Sequence, residues 1–322
     1  MTMDVKRIEK YDDRVSLIRF VAMYSIVACH IFQYFNHELA YWFNTGVQIF
    51  LFISGWLYAA KKVDNPILFM KKTLSKLFSD YYIFLLIVVP MYFIFAPKEI
   101  GIVQTVKLFL LRPQVFGLNH LWFMVYIVIC YMLLPGIYKI TNKFCDSIGK
   151  EIFLLMILCF ASHCVGIVVG MESAWINCFL IGYFMNRLVR LYNVRLIYLL
   201  NFVSPLMLVT NLYRVSSGAE NNIVIVYSKV FLAVFLFLLF YITTKQMFDR
   251  GGQRFTRILR WTDRYSYDVY LVHHIFIIGP FSVFAIVNNK YFALLIILCV
   301  VHICAVGLNR LSYRIMLLLK NK

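Results

Sequence analysis

Stretches of about twenty mostly apolar residues recur along nearly the whole chain, and each can cross a ~30 Å hydrocarbon layer as a helix. Their limits read as 15–35, 42–60, 79–96, 119–138, 151–169, 174–191, 196–212, 223–243, 266–287 and 291–311. A chain inside lipid has to satisfy its own backbone hydrogen bonds, which leaves only helices or a closed barrel. The apolar stretches are continuous rather than alternating, which argues against a barrel. At 62% hydrophobic residues over 322 positions, a soluble globule would have nowhere to hide this surface. The expected fold is all-α: a polytopic membrane protein with about ten transmembrane helices and cytoplasmic N- and C-termini. It is read as one domain over 1–322, with a cytoplasmic segment at 1–14 and a cytoplasmic tail at 312–322. The first apolar run is too long for a cleavable signal and lacks a small-residue cleavage site, so it stays as a span. Segment 97–118 opens with Pro97-Lys98-Glu99 and continues amphipathically, which predicts an interfacial position.

A net charge of +17 raises the question of nucleic acid, and the distribution of that charge answers it. With the N-terminus inside, ten spans place all but six of the 32 basic residues on the cytoplasmic side. The six exceptions are Lys98, Lys107, Arg112, Arg214, Lys229 and Lys290. Such asymmetry is the positive-inside pattern, so the charge reports topology and no nucleic-acid partner is expected. The eight cysteines show no CxxC spacing and read as free apolar thiols, with no metal site expected.

Ionisable groups within spans carry a free-energy cost and are functional candidates by default. His30 follows Arg19 by eleven positions in the first span, about three helical turns, so both share one face roughly 16 Å apart along the axis. A neutral imidazole deep in a span is in the state a general base needs. The plainer alternatives are a packing histidine and an arginine that snorkels to the headgroups. The string Tyr265-Ser-Tyr-Asp-Val-Tyr-Leu-Val-His-His274 concentrates an acid, two imidazoles and three phenols in one span. There His273 is the better candidate, because Asp268 near the inner end can pair with a loop cation. Asn119-His120-Leu-Trp-Phe123 opens another span, where Trp122 reads as an interfacial anchor and His120 as a polar candidate. Ser54-Gly55 interrupts an apolar run and would let two helices approach closely. His37, His163 and His302 read as structural or interfacial.

Taken together, these strings resemble the acyltransferase-3 family of integral-membrane acyltransferases, mostly bacterial enzymes that modify envelope glycans. Four features match in order. Arg19 to His30 matches the R-x10-H signature, and Phe50-Leu-Phe-Ile-Ser-Gly55 matches F-F-x-x-S-G. His120-Leu-Trp-Phe123 follows, and Ser266-Tyr-Asp-Val-Tyr-Leu-Val-His273 matches S-Y-x-x-Y-L-x-H. The resemblance implies a ten-helix fold in the cell (inner or plasma) membrane. It also implies transfer of an acyl group, usually acetyl, from a coenzyme A thioester to a hydroxyl. Acetyl-CoA would be a co-substrate, with no permanently bound cofactor. His30 would be the essential base, Arg19 would hold or orient the donor, and His120 and His273 would join the catalytic set. The family's R-x-x-R string before its third span is replaced by Thr73-Leu-Ser-Lys76, leaving Lys72 and Lys76 as donor contacts that act as point charges. Oxyanion donors would come from His120, Asn119 or Tyr270, with Ser54 as a further substrate-contacting candidate.

The acceptor stays open between a capsule, an O-antigen, another lipid-linked glycan and a smaller hydroxyl compound. So do succinyl in place of acetyl, direct transfer against an acyl-enzyme, and the oligomeric state. A transporter or flippase for a glycan or small polar solute is the competing class, since transporters also place polar groups at mid-membrane. Paired halves with corresponding broken helices, which that class favours, are not evident in this chain.

Overall fold

The structure is a computed structural model that describes residues 12–217, 223–249 and 253–320. Residues 1–11 of the expected N-terminal segment and the last two of the tail lie outside the described residues. Among the described residues every regular element is a helix. Helix α1 (Asp13–Tyr34) starts where the Asp12 carboxylate accepts from the Arg14 backbone N–H. Two short turns of chain then lead through α2 (Leu39–Phe43) into α3 (Thr45–Tyr58). Asn65 caps α4 (Pro66–Phe95), and Pro66 costs nothing at the first helical position because its missing N–H would have no partner there. Helix α5 (Ile102–Phe109) and a 3₁₀ turn (Asn119–Trp122) precede α6 (Phe123–Phe144). Helices α7 (Ile148–Val169) and α8 (Ala174–Tyr192) end on left-handed Gly170 and Asn193. The chain continues through α9 (Leu196–Ser217), α10 (Ile223–Thr243), α11 (Lys245–Asp249) and α12 (Gln253–Arg264). It closes with α13 (Ser266–Ile277), α14 (Val283–Ile286) and α15 (Lys290–Lys320).

Among the described residues, seven helical stretches are long and apolar enough to cross a membrane: α1, α4, Asn119–Phe144, α7, α9, α10 and α15. The other three stretches read as spans hold α3, α8 and α13, and these form much of the interior. At 14 and 12 residues, α3 and α13 are short. Helix α8 is long but carries the buried polar residues Asn177, Asn186 and Arg187, the last paired with Glu151 of α7 at 2.6 Å. Neighbours satisfy Asn177, bonded to Ser162 and Tyr227, and Arg187, bonded to Glu151 and Asn142. By contrast, α7 exposes Phe153, Phe160 and Val168 as a lipid-facing helix does.

Close approach of α3 and α8 builds the centre. A methyl group on Gly55 would overlap the Phe179 carbonyl oxygen, and one on Gly182 would overlap the Phe52 carbonyl oxygen. The small pair Ser54-Gly55 is half of this contact, and Gly182 is the half that the motif did not reveal. Gly182→Ala is expected to cost about 1–3 kcal/mol through overpacking, read as a lower thermal midpoint in detergent. An unchanged midpoint would mean that the crossing is looser than drawn.

Two expectations are corrected. The stretch 266–287 is not one helix: α13 stops at Ile277, Ile278 is extended, and Gly279 has φ +150°. Pro280 follows, and a proline disfavours helical backbone in the residue before it. The second correction concerns 97–118, which does not lie flat. It folds back along α4, so the carbonyls of Leu108 and Phe109 accept from the Tyr81 and Tyr82 hydroxyls at 2.7 and 3.3 Å. Those tyrosines lie roughly 20 Å from the Phe95 end of α4. The returning strand of chain brings Gly117 (φ +83°) against Gly279, where neither has room for a Cβ. This contact sets the loop before the 3₁₀ turn onto the end of α13.

Candidate active site

Three elements meet at the C-terminal end of α1, the end opposite Arg19. His30 projects from α1, His120 from the 3₁₀ turn, and His273 and His274 from α13. The His30 ring lies 4.4 Å from that of His274, 5.1 Å from His273 and 6.4 Å from His120, centroid to centroid. His120 and His274 stack at 4.6 Å with planes 13° apart. His120, His273 and His274 are buried, whereas His30 is half-buried and reaches exposed Gln33.

A carbonyl oxygen only accepts, so each ring's tautomer follows from its partner. His30 donates from Nδ1 to Gln33 Oε1 at 2.6 Å, and His274 from Nδ1 to the Gly117 carbonyl at 2.9 Å. His273 donates from Nδ1 to the Tyr270 carbonyl at 2.7 Å, and His120 from Nε2 to the Leu271 carbonyl at 3.1 Å. In the neutral form of each ring the one proton is then spent on that bond, and the other nitrogen holds the lone pair. His120 Nδ1 and His273 Nε2 are buried without a partner. The cluster is rich in acceptors and poor in donors, which suits a ligand that brings an O–H. Among the described residues no group of three or more ligand side chains has a metal-holding arrangement.

The same bookkeeping places the oxyanion candidates. The Tyr270 hydroxyl donates to the His120 carbonyl, and His120 has spent its only N–H, so neither has a spare donor in this arrangement. Asn119 is exposed on the turn beside His120, with its amide uncommitted. Ser54 donates to the Phe50 carbonyl at 2.9 Å on α3 and lies away from the imidazoles, near Tyr131.

Arg19 sits toward the other face. Its Nη1 pairs with Asp263 Oδ1 at 2.6 Å, and Ser16 Oγ donates to Asp263 Oδ2 at 3.0 Å. Arg19 also lies within electrostatic reach of Tyr58 and Tyr131. Tyr58 lines a cavity of about 650 Å³ whose wall includes Lys61, Lys62, Lys72 and Lys76. Both lysines singled out from the sequence therefore face one space, together with two more that were not singled out. Between that cavity and the imidazoles lies a small apolar void of about 20 Å³, bounded by Ile26, Val47, Phe50, Phe123, Tyr267 and Tyr270. Ile26 is one turn from His30 on α1, and Tyr270 touches His120.

Sequence reading missed His274, Gln33 and Asp263. His274 adjoins His273 and Gln33 is three residues beyond His30, so both carried a signal. Asp263 sits in a loop of cations and carried none. His302, His163 and His37 lie apart from the cluster: the first two bond Tyr24 and Ser173, and His37 is exposed.

An all-helical membrane protein with a buried imidazole cluster, a cationic cavity toward the opposite face and an apolar seam between them has the layout of a membrane-embedded group-transfer enzyme. A family model described as an acyltransferase domain matches residues 12–308, and the chain belongs to this acyltransferase-3 family. No curated protein and no solved structure matches it.

Proposed function

We propose that the protein is a membrane O-acetyltransferase moving acetyl from acetyl-CoA to a hydroxyl of an envelope polysaccharide or lipid-linked glycan, with His30 as general base. The observation that carries this reading is the free Nε2 lone pair of half-buried His30, beside three neutral imidazoles with no donor to spare. The three interior helices α3, α8 and α13 complete ten crossings of the cell membrane, and both termini face the cytoplasm.

The donor's phosphates dock among Lys61, Lys62, Lys72 and Lys76, and its pantetheine arm passes Arg19 along the apolar seam. His30 Nε2 takes the proton from the acceptor hydroxyl as the oxygen attacks the thioester carbonyl. The tetrahedral oxyanion is met by the Asn119 amide. On collapse the C–S bond breaks, and the leaving thiolate takes the proton back from His30. The acceptor enters from the outer face, where half-buried Trp122 and Tyr126 pack at 4.7–6.2 Å on buried Trp175 and line the approach to a sugar ring.

The test is transfer of radiolabelled acetyl from acetyl-CoA to an envelope-glycan extract by the purified protein. Label in glycan with stoichiometric release of free thiol supports the reading. Solute movement across vesicles without donor consumption would overturn it in favour of transport. For the phosphate site, Lys72→Gln with Lys76→Gln is expected to raise the acetyl-CoA KM about tenfold at unchanged kcat, the size of a lost charge-assisted contact. The KM for acetyl-pantetheine, which lacks the nucleotide phosphates, should not move.

A further inference from the structure

Two of the six cations that the sequence sets against the positive-inside bias, Arg214 and Lys229, share one aromatic ring. Arg214 lies in the last turn of α9, with its Cζ 3.0 Å from the centroid of the Tyr41 ring and 5.1 Å from that of Trp42. Lys229 lies nearly two turns into α10, with its Nζ 4.2 Å from the same Tyr41 centroid. The two charges are therefore no more than about 7 Å apart. Tyr41 is a fixed platform, because its hydroxyl is held by Ser228 Oγ at 2.9 Å and the Ile225 carbonyl at 3.3 Å.

Like charges this close call for a counter-charge, and among the described residues neither cation forms an ion pair. The carboxylate within electrostatic reach of Lys229 is exposed Glu172, which accepts from Trp175 Nε1 instead. Lys229 is half-buried and turned onto Tyr41, unlike a lysine that snorkels to lipid headgroups. It is also within reach of Cys29, the residue before His30. The pair flanks the end of α1 at which the acceptor hydroxyl must arrive.

We infer that the acceptor is anionic: a sugar or polyol whose carboxylate or phosphodiester is clamped by Arg214 and Lys229 while its hydroxyl reaches His30. The inference rests on the acetyltransferase reading for its chemistry, and the clamp can be tested without it. Sulfate is the probe. Against chloride at matched ionic strength, sulfate should raise the thermal midpoint of the detergent-solubilised protein, and Arg214→Gln and Lys229→Gln should each remove the effect. The same melts report whether those variants fold. No sulfate effect, or one retained in both variants, overturns the clamp. An effect lost only in nanodiscs rich in phosphatidylglycerol assigns the pair to lipid headgroups and also overturns it.

The second arm separates the labelled glycan extract into neutral and acidic fractions by anion exchange. Acetyl label is expected in the acidic fraction, and Lys229→Gln should raise the acceptor KM about tenfold with the acetyl-CoA KM unchanged. Label in the neutral fraction overturns the inference. Reducing the extract's carboxylates beforehand abolishes transfer if the charge is a uronate and spares it if the charge is a phosphodiester. Absence of transfer to every fraction, with the sulfate effect intact, fails the acetyltransferase reading itself and the acceptor assignment with it, leaving an anion site.

Discussion

His30→Ala is expected to lower kcat for acetyl transfer by about 10²–10⁴-fold, the usual worth of a positioned general base. The acetyl-CoA Kd should stay near wild type, because the lysine-lined cavity lies at the other end of α1. The cause is geometric. In the cluster, His30 alone combines a free lone pair with a half-exposed position, and Gln33 holds its tautomer through a 2.6 Å bond from Nδ1. His273 and His274 are buried behind it. Gln33→Ala should therefore cost less than His30→Ala, loosening the ring without removing the base. Single-turnover kinetics with labelled donor, beside donor binding measured separately, decides the matter. Wild-type rates for His30→Ala would take His30 out of the chemistry.

The second large effect is expected at Arg19 and Asp263. The Asp263 side chain is 1% exposed and Arg19 is 22% exposed, so truncating either partner strands a charge that water reaches poorly. Arg19→Ala removes the guanidinium from Asp263, whose other carboxylate oxygen accepts from the Ser16 hydroxyl. Breaking a buried pair costs about 3–5 kcal/mol, and the partial exposure of Arg19 places this one near the lower end. In a double-mutant cycle the Arg19→Ala, Asp263→Ala protein should be more stable than the sum of the singles allows. Additive losses would mean that the pair does not couple. Arg19 also lies within electrostatic reach of Tyr58, which lines the lysine cavity, so Arg19→Ala should weaken acetyl-CoA binding while Asp263→Asn, which keeps the guanidinium, should do so less.

Much of the candidate site was legible in one dimension. Arg19 and His30 needed only the helical repeat, and His120 and His273 stood out because an imidazole in an apolar run has no cheap explanation. What the linear string lacked was depth and partnership. His274 was not singled out beside His273, yet its bond to the Gly117 carbonyl holds it stacked on His120. Ser54 and Tyr270 belonged to matching strings, but their hydroxyls are spent on backbone carbonyls. Lys61 and Lys62 looked like topology signals until α3 and α4 folded them around the cavity that also holds Lys72 and Lys76.

Composition and periodicity alone determined that the chain is helical and membrane-embedded, because hydrocarbon offers the backbone no partner and long apolar runs have no other stable home. Those are local properties, summed residue by residue. Tertiary structure alone decided which helices line the interior and how His120 and His274 are held. Their rings bond the carbonyls of Leu271 and Gly117, about 150 positions away, and such contacts exist only once the helices have packed.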